Sequence, residues 1–277
     1  MLRKLLKYDL RAVWSTCWGA FPAMAGCTAV AVIASRALEA SSYYSFEMLW
    51  IMLLVLSLFG VMASIAAIGI TVFTRFFKNL FTDEGYLTFT LPVKRSTLLM
   101  SKTLNAFICG AISALSLTVC ILVFITFGFE GEKGAIINLQ WISSIGQTLR
   151  RMWIEYGAWL PVRMIEIVVL AVSSSFLMIS AIHFAISMGT TVAKKAKVLA
   201  TVGFLYLVGL ALSMISGSFG FVGIINSVEQ FILKVPDRQE VAVYSVILLI
   251  ACIMTFSVGL ILHFMTLDRI SRKLNLE

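Results

Sequence analysis

Few side chains in this sequence could do chemistry, and most stand in apolar surroundings. Arg163 and Glu166 lie one helical turn apart in a hydrophobic run that also holds Ser173, Ser174, Ser175 and His183. His263 lies near the end of the last such run, and Cys17, Cys27, Cys109, Cys120 and Cys252 fall in or beside others. An ionisable group within a membrane is a candidate functional site by default. Arg163 and Glu166 suit either the lining of an outer vestibule or an interfacial ion pair that anchors a helix. A lone histidine can sense protons, but both histidines fit better as packing residues. Consecutive serines in such a run ordinarily bond backbone or a neighbouring helix rather than catalyse.

The usual catalytic signatures are missing. There is no GxxxxGK[ST], no HExxH and no GxSxG. The cysteines are odd in number and form no CxxC, so neither a disulfide framework nor a metal site is expected. The chain is therefore expected not to be an enzyme, and to hold no metal or cofactor itself. No central buried carboxylate is visible, so coupling to protons or sodium is not supported. A separate energy source is favoured.

The elements that position these residues follow from hydropathy. The 277 residues are 60% hydrophobic and 13% charged, where a soluble domain carries about 25% charged residues. The expectation is an all-α, polytopic integral membrane protein, with residues 1–277 forming one transmembrane domain. Six spans are read at 15–35, 47–74, 104–127, 161–190, 198–215 and 241–265. Small-residue stripes at Gly60, Ser64 and Ala67, at Gly110 and Ala114, and at Gly209, Ser213 and Gly217 suit close helix contact. Residues 1–14 read as an interfacial amphipathic helix, with Leu2, Leu5, Leu6, Leu10 and Val13 on one face and Arg3, Lys7 and Arg11 on another. Its basic side is expected to meet anionic lipid. Residues 128–161 contain a second amphipathic helix, on the outer face, anchored by Trp141, Trp153 and Trp159. The glycine-broken stretch 219–233 is a candidate re-entrant segment before the last span.

Charge sets the orientation. The net charge of +8 resides in residues next to span ends, a distribution that argues against nucleic acid as a partner. Fifteen of the Lys and Arg residues fall on the faces holding both termini, and seven on the opposite faces. The positive-inside rule then places both termini in the cytoplasm.

The same rule makes residues 75–102 a cytoplasmic loop. Its basic residues are interleaved with Phe76, Phe77, Leu80, Phe81, Tyr86, Leu87, Phe89 and Leu91. Such apolar content suits a loop that docks on another protein or lies among headgroups. The run from Asp83 to Pro92 (DEGYLTFTLP), with Lys94-Arg95 and Ser101-Lys102, resembles permease subunits of ATP-binding-cassette exporters, especially those of Gram-positive bacteria. The Arg272-to-Glu277 tail (RKLNLE) resembles the ends of many of those chains. These two motifs cover about a tenth of the sequence. The resemblance implies that 75–102 carries the coupling helix received by a separate ATPase subunit, with Asp83, Glu84, Gly85, Tyr86, Leu87, Leu91 and Pro92 as the partner-binding residues. It further implies that the N-terminal helix touches that ATPase and that ATP and Mg bind in it. A second permease copy or a paralogue, a place in the bacterial plasma membrane and outward movement of an amphiphilic peptide, antibiotic or lipid also follow from it. The alternative is a membrane interaction protein without transport, such as an immunity, sensor or assembly factor.

Overall fold

A computed structural model describes residues 2–40, 44–82, 85, 90, 93–129, 138, 140–157, 159–192, 196–219 and 238–272. The protein is all-α and multi-pass. Among the described residues eight helices occur: α1 (Leu2–Cys17), α2 (Ala20–Ala40), α3 (Tyr44–Phe81), α4 (Arg95–Gly128), α5 (Gln140–Tyr156), α6 (Trp159–Val192), α7 (Lys197–Phe219) and α8 (Arg238–Arg272). All but α1 and α5 are long and apolar enough to cross a membrane. Helices are the form such runs must take, because lipid offers the backbone no hydrogen-bond partner. Most of the candidate re-entrant stretch lies outside the described residues.

The helices overrun their apolar cores. The 38 residues of α3 make a rod of about 57 Å, against a hydrocarbon core of roughly 30 Å. Residues 75–81 and 95–102, read from sequence as loop, are helical. The physical cause is apolar spacing that persists past the first charges: Phe76 and Leu80 are one turn apart and buried, and Leu98 and Leu99, near the start of α4, are buried as well.

Apart from its first two residues, the chain forms two units, one of residues 3–75 and 104–151, the other of 76–103 and 152–277. In the first, α2 buries Met24, Thr28, Ala31 and Ser35, and α3 buries Ser57, Val61, Ser64 and Ile68. Both sets repeat at three- and four-residue steps, as a helix seam requires. A Cβ on Gly60 would fall 2.5 Å from Cys27 Sγ, so these helices touch there. Ala67 is exposed and has no part in that seam. Gly110 and Gly209 stand in open space within this chain, contrary to the close contact expected of them. The buried hydroxyl of Ser64 donates to Gly60 O at 2.8 Å. Arg36 Nε donates to Phe127 O at 2.6 Å, fastening α2 to the end of α4. Trp141 Nε1 donates to Thr126 Oγ1 at 3.1 Å, which holds the start of α5 against α4. Residues Ile142, Ile145 and Leu149 of α5 are exposed, as an interfacial helix requires.

In the second unit α6 packs on both α7 and α8. Thr255 Oγ1 meets Ser173 Oγ at 3.1 Å, and Gly259 lies against Leu177 and Phe176. The residue numbers rise together, so α6 and α8 run parallel. Ser173 also donates to Leu170 O and Ser175 to Ala171 O, the bonding expected of membrane serines. No residue of α6 from 179 to 190 is exposed, which makes that half of α6 the centre of the unit.

A Cβ on Gly189 would stand 2.5 Å from both Thr201 N and Thr201 Cα. Backbone cannot rotate away as a side chain can. Gly189→Ala is therefore expected to destabilise the full chain by roughly 1–3 kcal/mol through overpacking. Gly110→Ala, made in open space, should stay within about 0.5 kcal/mol. Unfolding of both variants in detergent checks this, and equal stabilities would contradict it.

Candidate functional site

The ends of α3 and α4 that flank residues 82–94 are seated within the second unit. Phe76 is 2% exposed and its ring stacks on His183 of α6, with centroids 3.9 Å apart and planes at 19°. Phe81 meets the same ring edge-on at 6.0 Å. His183 is itself 1% exposed, a packed histidine as the sequence suggested. Across the segment, Arg95 opens α4. Its Nη1 donates to Ile270 O at 3.2 Å and to Ser271 O. The last carbonyls of a helix lack intrahelical donors and carry partial negative charge, so a guanidinium there satisfies both needs. Ser101, Lys102 and Thr103 are buried. The end of α3 thus bears on α6, and the start of α4 is bolted to α8.

Gly85 is the one described residue among the expected partner contacts in this segment. It is buried, and its N–H donates to Thr82 O at 2.7 Å. A Cβ there would lie 2.7 Å from Leu80 O. Glycine is required for this turn to close on the end of α3. Asp83, Glu84, Tyr86, Leu87, Leu91 and Pro92 lie outside the described residues.

No family model matches the chain, and no curated protein or solved structure matches it either.

Arg163 and Glu166 form the expected pair, with Nη1 and Oε2 2.9 Å apart. The arginine is 3% exposed. An arginine that anchors a helix end extends its charged head out of the protein toward headgroups; this one is covered by protein. The pair stands some twenty residues, or about 30 Å of helix, from His183. The structure therefore brings Phe76 to His183 and Arg95 to the end of α8, and leaves Arg163 with Glu166 at the other end of α6.

Such an arrangement can carry load from the helix ends flanking residues 82–94 into α6 and α8. Arg95 and His183 could not have been joined to their partners from sequence, because each contact spans roughly a hundred residues or more. The available signal was the number of aromatic residues beside the charges of 75–102.

Proposed function

We propose that this chain is the membrane-spanning permease subunit of an ATP-binding-cassette exporter. It lies in the plasma membrane of a bacterium with both termini in the cytoplasm, and works with a second permease copy or a paralogue. A separate ATPase subunit holds ATP and Mg and grips the Asp83-to-Pro92 element. The carboxylates of Asp83 and Glu84 pair with basic residues or a helix N-terminus on that partner. Tyr86, Leu87 and Leu91 fill an apolar cleft, with the aromatic ring as anchor. The cargo is an amphiphilic peptide, antibiotic or lipid.

What supports this reading is the seating of the helix ends that flank residues 82–94. A segment that only set topology would have no need of Phe76 locked on His183 or of Arg95 fastened to the end of α8. Load applied to the segment passes directly into α6 and α8, two of the six candidate spans.

The test is capture from native membranes. The tagged full chain is expected to co-purify with an ATPase bearing a Walker A sequence. Tyr86→Asp with Leu87→Asp should abolish that capture while leaving insertion unchanged. An unaltered complex, or a chain functional without any ATPase, would overturn the proposal and favour the non-transporting interaction protein.

A further inference from the structure

The outward face of α1 has a composition that neither water nor hydrocarbon explains. Its apolar side is covered by protein: Val13 and Cys17 are 2% and 5% exposed, and Leu5, Leu6 and Leu10 are half-buried. The apolar side is thus already occupied. Arg3, Lys4, Lys7, Tyr8, Arg11 and Trp14 are exposed, and Trp18 in the turn after α1 continues the same face. At 100° per residue these positions span about 140° of the helix circumference. The acidic residue of α1, Asp9, lies outside that arc and is only half-exposed.

Two features of this face are independent. Its charges are all positive. Its aromatic residues are open, with Tyr8 70%, Trp14 44% and Trp18 61% exposed. A solvated helix face has no use for two indoles, and hydrocarbon does not accept four cations. The headgroup layer accepts both, with phosphates for the cations and a polar–apolar boundary for the rings. Trp14 packs on Trp18 and on Phe21 of α2, with centroids 5.9 and 5.4 Å apart, so the aromatic end adjoins the first membrane span. Arg75 Nη2 donates to Thr16 Oγ1 at 2.8 Å, pinning the same end to α3. The face is held in place before any ligand arrives.

We propose that this face is a docking site for the phosphate groups of anionic phospholipids, selecting them over zwitterionic ones. The cations of Arg3, Lys4, Lys7 and Arg11 take the phosphates, and Trp14 and Trp18 set the depth. The four cations are about 12 Å from first to last along the helix, enough for two neighbouring headgroups.

The test uses the full chain alone, reconstituted in phosphatidylcholine bilayers, so its outcome is independent of the permease reading. Trace spin-labelled phosphatidylglycerol is compared with spin-labelled phosphatidylcholine for residence at the protein. The wild-type chain is expected to hold phosphatidylglycerol several-fold more strongly, less so in high salt. The combined variant Arg3→Gln, Lys4→Gln, Lys7→Gln and Arg11→Gln should bring the two lipids to parity. The charge-keeping variant Arg3→Lys, Lys4→Arg, Lys7→Arg and Arg11→Lys should retain the preference. A wild-type chain without preference, or a glutamine variant that keeps it, would overturn the proposal.

Discussion

Phe76→Ala is expected to destabilise the full chain by about 3–5 kcal/mol, the usual cost of emptying a buried aromatic site. The ring has almost no exposure, and it touches elements far apart in sequence, α6 through His183 and its own helix through Phe81. Neighbouring helix backbones cannot collapse to fill the space without losing the contacts around them. Phe76→Leu, which keeps most of the volume but not the flat stacking surface, should cost less. Pairing Phe76→Ala with His183→Ala in a double-mutant cycle should give strongly non-additive losses, since the two rings share one contact. Unfolding in detergent reads both effects, and additive losses would show that the stack carries no coupling. A second readout bears on function. If the chain is driven by an ATPase, Phe76→Leu should still capture that subunit but lower cargo-stimulated hydrolysis. Loss of capture instead would place Phe76 in docking rather than in transmission.

Glu166→Ala should be of comparable size, again about 3–5 kcal/mol. The loss comes from what stays behind. Arg163 is covered by protein, and its carboxylate partner 2.9 Å away would be gone. Replacing both residues together, Arg163→Met with Glu166→Leu, should recover most of the stability, because it removes the need to solvate either charge. The same unfolding experiment decides it. If Glu166→Ala is harmless, the guanidinium is reaching water, as it would in an open vestibule. If the double variant is as unstable as the single one, packing and not charge dominates the site.

These expectations separate what was legible in the residues from what was not. Six long apolar runs can only be helices in lipid, because no other structure closes their backbone hydrogen bonds within the segment. Their number and order were therefore readable along the chain, and so were the two amphipathic helices that became α1 and α5. The charged flanks concealed how far α3 and α4 extend. Arg75, Lys78, Arg95 and Lys102 look like loop residues, yet the buried stripe of Phe76, Leu80, Leu98 and Leu99 continues the helices through them.

Partnership of faces was not readable. Gly110 and Gly189 are both glycines in apolar helices, but one faces open space and the other lies against the backbone of Thr201. The leucine face of α1 is half-buried against protein. Periodicity reports which side of a helix is apolar. It does not report whether lipid or another helix covers that side, because lipid tails are as apolar as leucine. Only the tertiary structure decided that, through contacts such as Phe76 on His183 and Arg95 on the carbonyls ending α8.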